Sequence, residues 1–271
     1  MSTFNKEEMA FLMNRFCCSK SEVAEFAAVI RMAKTNAAWN SEEQAVSRYR
    51  ILSFLRRKLS LHTFDENIRW RKTERAFRNP HITGIIDHTT TKLRYTLANA
   101  AMVAKNFNLH KGMCYKYLVC CTVQGTPISV SVCQPGRRHD YHLFSSPLTT
   151  HYARDWLIAD GGYRGLGRHF SFPIRKPNLR DFTDEQNKIN FKFGRVRSRI
   201  ERCFGILKRF KILKSTLLEP QHHELFFRFL LLCEHMVRER RNMTQRTPYP
   251  CATSDIPMGP RCTCNWHRTA Q

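Results

Sequence analysis

Residues 115–133 read YKYLVCCTVQGTPISVSVC. Two β-rich runs, Tyr115–Val123 and Pro127–Cys133, flank Gln124-Gly125-Thr126, and that spacing predicts a hairpin. Upstream, Ile82–Ile86 is a short apolar run ending at Asp87. Downstream, Trp156–Ala159 is another; it ends at Asp160 and is broken by Gly161-Gly162. Phe170–Arg175 offers one more strand, and the chain then reads as helical from about 183 to 241. Strands first, then alternating strand and helix, predict a mixed α/β sheet with helices packed on it.

Residues 1–78 read as a small all-helical region. Ser19 with Glu22, and Asn40 with Glu43, have the spacing of a reciprocal cap at a helix start. Two uses are open for this region: plain packing, or reading DNA in a groove. Residues 79–241 form the α/β unit, and residues 242–271 read as a loose tail. No stretch supplies the roughly 20 apolar residues of a membrane-spanning helix. The most apolar one, Leu225–Cys233, contains Arg228. The N-terminal residues mix acids with apolar side chains, unlike a signal peptide. The 11 cysteines are therefore expected as reduced thiols.

Charge gives the first functional constraint. The chain has 45 Lys and Arg against 22 Asp and Glu, a net charge of +23. Residues 1–50 hold seven basic and six acidic side chains, so nearly all the excess lies beyond them. A globular chain this basic meets a polyanion, and nucleic acid is the first candidate.

Against that background three acids stand out. Asp87 and Asp160 each follow an apolar run, where sites gather in open α/β sheets. Glu201 is alone among nine basic residues between positions 191 and 215. On a helix, Arg197 lies about 40° from Glu201 on the same face, and Lys208 about 20° away and about 10 Å along the axis. Ile200, Phe204, Leu207 and Lys211 recur at helical spacing beside them. Three converging carboxylates repel one another unless cations lie between them. Mg²⁺ or Mn²⁺ suits such oxygen ligands, and two ions about 4 Å apart can serve both sides of a phosphodiester. Each acid also has a plain structural reading: Asp160-Gly161-Gly162 is a turn, and Arg197–Glu201 an ordinary surface pair.

Five pieces in order resemble one family: GIIDHTTT, KGMCYKYLVCCTVQG, PGRRHDYHLF, LIADGGYRG and RSRIERCFGILKRF. They resemble DDE-type transposases of the PIF/Harbinger group, and are similar to insertion-sequence transposases with a Tyr–Arg–Glu–Lys signature. The resemblance covers about residues 82–215. It implies an RNase H-like catalytic domain, a two-metal site holding Mg²⁺ or Mn²⁺, and cutting of DNA at transposon ends. It assigns Asp87, Asp160 and Glu201 as catalytic metal ligands, with Arg197 and Lys208 on the signature arginine and lysine. The signature tyrosine falls on Gly194, a departure. His88 and Thr89 stand where the group more often has Gly-Thr. Arg202 and Arg164 join Arg197 and Lys208 as DNA-phosphate contacts, and His139 and Asp140 as supporting residues. Asp140 also suits a helix cap, and Tyr163 either a DNA contact or a packed aromatic.

The implied partner is DNA, with a homo-oligomer and a separate DNA-binding protein as further expectations. A eukaryotic host implies the nucleus. The competing reading is an inactive, domesticated or decayed transposase that still binds DNA. Cys251, Cys262, Cys264 and His267 hint at zinc, though the spacing departs from the usual knuckles.

Overall fold

Two strands of eleven residues each form the spine of the sheet. β1 (Ile82–Lys92) runs antiparallel to β3 (Gly112–Thr122), in register from Gly84 opposite Thr122 to Lys92 opposite Cys114. The computed structural model describes residues 4–35, 45–64, 82–92, 104–140, 156–164, 170–176, 181–214 and 220–244. Short β2 (Phe107–Asn108), β4 (Pro127–Val130) and β5 (Gln134–Pro135) pair with β3 at successive points along it. On the other side of β1, β6 (Trp156–Ile158) and then β7 (Phe170–Ser171) add in parallel. The result is an α/β fold with a mixed, seven-stranded sheet.

The expected hairpin is present. Gly125 sits at φ 89°, a conformation glycine adopts without penalty, and joins β3 to β4. Two expectations shift. Phe170–Arg175 pairs only at Phe170–Ser171. Asp87 does not end its strand: β1 continues five residues past it because β3 keeps supplying backbone partners.

Strand alternation divides the core in two. Ile85 on β1 and Tyr117, Val119 and Cys121 on β3 belong to one apolar cluster with the long helices. Ile86, Leu118 and Cys120 belong to a second, with Leu157, Tyr163 and Phe170. Gly84 lies where β1 and β6 converge; a Cβ there would be 2.8 Å from the Cys121 carbonyl oxygen and 3.1 Å from Leu157.

Five helices complete the described fold: α1 (Lys6–Arg15), α2 (Lys20–Thr35), α3 (Ala45–Leu61), α4 (Asp184–Leu207) and α5 (Pro220–Thr244). Local chemistry starts three of them. Asn5/Glu8, Ser19/Glu22 and Thr183/Gln186 form reciprocal side-chain-to-backbone caps ahead of α1, α2 and α4. The Asn40/Glu43 expectation and the Cys251–His267 group lie outside the described residues. α5 is the central support. On one side Phe227 stacks on Tyr117 of β3 at 3.9 Å. On the other, Phe229 stacks on Phe16 at 5.1 Å and meets Phe26 and Phe54 edge-on. α1–α3 therefore share a core with the sheet through α5. No helix among the described residues is long and apolar enough to cross a membrane.

Buried His223 of α5 ties this layer to β3. Its Nε2 lies 3.2 Å from the Leu213 carbonyl oxygen and its Nδ1 2.7 Å from the Tyr117 hydroxyl. The carbonyl can only accept, so Nε2 carries the proton and Nδ1 accepts from the tyrosine. Burial pushes the imidazole pKa down to about 4, against a weaker raising effect of the Leu213 carbonyl. The unfolded chain then binds a proton here that the folded chain refuses, so stability is lost as pH falls from about 6.5 toward about 4. We expect a loss on the order of 3 kcal/mol over that window in urea titrations, and a flatter profile for His223→Gln.

Candidate active site

Three elements bring the acids of the sequence reading to one place. Asp87 comes from the middle of β1, and strand alternation turns it to the face α4 covers. Asp160 comes two residues after β6, where its carboxylate accepts from the Gly161 N–H at 2.5 Å and caps a single helical turn, Gly161–Tyr163. Glu201 comes from α4, one turn after Arg197.

The meeting point is one nitrogen. Arg197 Nη2 lies 3.3 Å from Asp87 Oδ2, 3.5 Å from Asp160 Oδ2 and 3.5 Å from Glu201 Oε1. Only the Asp87 contact is a hydrogen bond; the other two are charge contacts. Arg197 Nε is buried with no hydrogen-bond partner among the described residues. The guanidinium is thus a shared counter-charge rather than a bidentate clamp. The acids form a gradient from interior to solvent, with side chains 10%, 49% and 56% exposed for Asp87, Asp160 and Glu201.

Burial dominates the electrostatics of Asp87. Desolvation raises its pKa, and Arg197, the His88 charge and the His88 N–H at 2.8 Å only partly oppose this. The carboxylate needs more positive charge than the protein supplies. Its oxygen-donor neighbours suit a hard divalent ion. As they stand, however, no three Asp, Glu, His or Cys side chains among the described residues gather closely enough to hold one. The donor chemistry fits a metal ion, and the guanidinium occupies the charge position between the donors.

Alternation along β1 sends the His88 side chain to the other face, yet its ring still borders the acids, with Nδ1 3.7 Å from Asp87 Oδ1. Its Nδ1 lies 3.4 Å from Asp140 Oδ2 and 3.4 Å from the Tyr163 hydroxyl. Burial lowers its pKa, against the pull of Asp140 and Asp87. Asp140 is also held by Lys116, at 2.9 Å, and that buried ammonium donates to the Arg138 carbonyl at 2.8 Å. Sequence reasoning missed Lys116; the signal was a lone lysine inside the apolar run YKYLVCC. The helix that Asp140 was expected to cap lies outside the described residues. His139 is exposed, and Tyr163 is fully buried, the packed alternative.

The remaining cations differ in freedom. Arg202 is exposed on α4, and Lys208 is exposed at its C-terminal end. The Lys208 pKa is lowered, by partial burial first and then by Lys111, while Asp87 raises it. Arg164 donates to the Pro173 carbonyl. A Cβ at Gly194 would meet no atom within 4 Å.

A family model described as DDE superfamily endonuclease matches residues 86–234, more than half of the chain. The chain belongs to the DDE endonuclease superfamily. Neither a curated protein nor a solved structure matches it. Membership carries a nuclease- or transposase-like function with DNA as partner. The matched span runs from β1 into α5 and includes Asp87, Asp160, Arg197 and Glu201.

A raised pKa at Asp87 means that the folded chain holds this proton more tightly than the unfolded chain does. That stability is present at low pH and is lost as pH rises through the folded pKa. Wherever it is ionised, the carboxylate is a burden on the fold. Asp87→Asn should therefore raise Tm in metal-free buffer, by about 2–4 °C for each kcal/mol relieved. A lowered Tm would mean that the contact with Arg197 outweighs desolvation.

Proposed function

We propose that the chain is a divalent-metal-dependent DNA endonuclease of transposase type, with Asp87, Asp160 and Glu201 as its metal ligands. The observation that carries this reading is the convergence of three carboxylates, from β1, the end of β6 and α4, on one cationic nitrogen in a chain of net charge +23. The strand order β4-β3-β1-β6-β7, an antiparallel set extended by two parallel strands, supports an RNase H-like sheet. The four- and seven-residue spacings of Arg197, Glu201 and Lys208 support kinship with the Tyr–Arg–Glu–Lys group and with PIF/Harbinger elements.

When bound, Mg²⁺ or Mn²⁺ would supply the activation of a water or 3′-hydroxyl and the neutralisation of the leaving oxygen. The protein's own side chains do the rest. The His88 N–H fixes Asp87 Oδ1, and the Gly161 N–H fixes Asp160. Arg197, whose Nη2 lies among the acids, offers a donor to the scissile phosphate once the acids have another counter-charge. Arg202 and Lys208 are exposed and suited to neighbouring phosphates. Arg164 contributes less freely, since Pro173 holds it. Asp140 supports the site through His88, and His139 lies next to it in the chain. Reaction at two transposon ends favours a homo-oligomer, and a separate DNA-binding protein would add sequence choice. In a eukaryotic host this chemistry belongs in the nucleus.

One observation favours a second reading, a DNA-binding protein without nuclease activity. Arg197 already holds the counter-charge position among the acids, and among the described residues no three ligands close on an ion. A supercoiled-plasmid assay in Mg²⁺, Mn²⁺ or EDTA separates the two. We expect metal-dependent nicking that Asp160→Ala and Glu201→Ala each reduce by at least about a hundredfold, the upper range for residues that merely support ligands. Both variants should still retain DNA. DNA retention without nicking in either metal would favour the binding protein.

A further inference from the structure

The β2–β3 connection exposes apolar side chains in a basic setting. Phe107 is 46% exposed, and Leu109, at 90%, is the most exposed large apolar residue among those described. Together with Ala104, Asn108, His110 and Arg137 they line an open groove of about 630 Å³. That is within the roughly 300–1,000 Å³ range of small-ligand clefts. Among the described residues no carboxylate lines it. Exposed Lys105, Lys111, Arg137 and Arg138 surround it in the chain.

The groove is rigidly built. Gly136 packs so closely that a Cβ would lie 2.3 Å from the Cys114 carbonyl oxygen and 2.5 Å from that of Asn106. Asn108 donates to the Gly136 carbonyl at 3.2 Å, and its Oδ1 accepts from the His110 and Lys111 N–H groups. The Arg137 N–H donates to the Lys105 carbonyl at 3.1 Å. The wall is also tied to the acid site: Lys116 holds the Arg138 carbonyl and Asp140, and Asp140 faces His88.

We propose that this groove takes an unpaired nucleobase of the DNA substrate, stacked on Phe107 and Leu109, with flanking phosphates on Lys105, Lys111 and Arg137. Phosphates alone need cations, not exposed apolar side chains. A paired base hides its faces in the stack, so an apolar floor ringed by cations matches an unstacked base on a charged backbone. The distance follows from register. Asp87 pairs with Val119, and Phe107 pairs with Met113 six residues along β3. At about 3.3 Å per residue the groove begins roughly 20 Å from the acid, about six steps of duplex. This inference rests on the DNA reading above but not on catalysis.

The test is fluorescence anisotropy of the full chain in EDTA, with two probes: a blunt duplex, and the same duplex with a single-stranded tail of about six nucleotides. We expect the tailed probe to bind about tenfold tighter, within the range that stacking of one or two bases supplies. Phe107→Ala and Leu109→Ser should each bring that ratio close to one. Leu109 is almost wholly exposed, so its replacement leaves the fold intact. Equal binding of both probes by the unmodified chain would overturn the groove while leaving the DNA reading standing. No binding of either probe would sink both. A dimer in sedimentation that Leu109→Ser splits, with the tail preference kept, would assign the patch to a protein contact instead.

Discussion

The antiparallel pairing of β1 with β3 is the constraint on which the rest of the molecule depends. Its register turns Asp87 to one face and His88 to the other. The same pairing carries Lys116 and the β2 connection at one end, and the Gly125 turn at the other. Because the side-chain period is two, a slip of one residue would exchange the faces and carry Asp87 into the second apolar cluster. The packing of Gly84 against Cys121 and Leu157 opposes such a slip, as no larger residue fits there without a shift.

Helix α5 converts that sheet into a folded unit. It stacks aromatic rings on both sides, Phe227 on Tyr117 and Phe229 on Phe16. α4 then lies over β1 with an apolar edge inward, Arg197 turned to the acids and Arg202 exposed, and it is capped by Lys208. The acid site thus forms at the border between a tightly packed interior and a basic surface. Its buried member, Asp87, is destabilised in ionised form, and its open members face solvent. A site arranged this way stores an unmet demand for positive charge. Arg197 answers it only in part, through one nitrogen shared three ways.

Much of this was legible in the chain. The hairpin, the capped start of α2, the helix beginning near residue 183, the basic surface and the three acids all rest on short-range patterns: turn residues, cap spacing and hydrophobic period. Less was legible where a distant partner decides. Asp87 lies within a strand rather than at its end, because β3 extends beside it. Tyr163 is core because His88 and the second apolar cluster enclose it. The network of Lys116, Asp140 and His88 joins three separate segments, and no local spacing encodes such a contact.

The sequence by itself determined the identities and the periods: a very basic chain, acids following apolar runs, and an arginine one helical turn before a glutamate. Those follow from local geometry and from charge counting, which need no knowledge of the fold. The tertiary structure alone decided that three acids separated by up to 114 positions share one guanidinium nitrogen. It also decided which of them loses its water. Both depend on how the sheet and α4 exclude solvent together, and desolvation is a property of the packed neighbourhood, not of any residue alone.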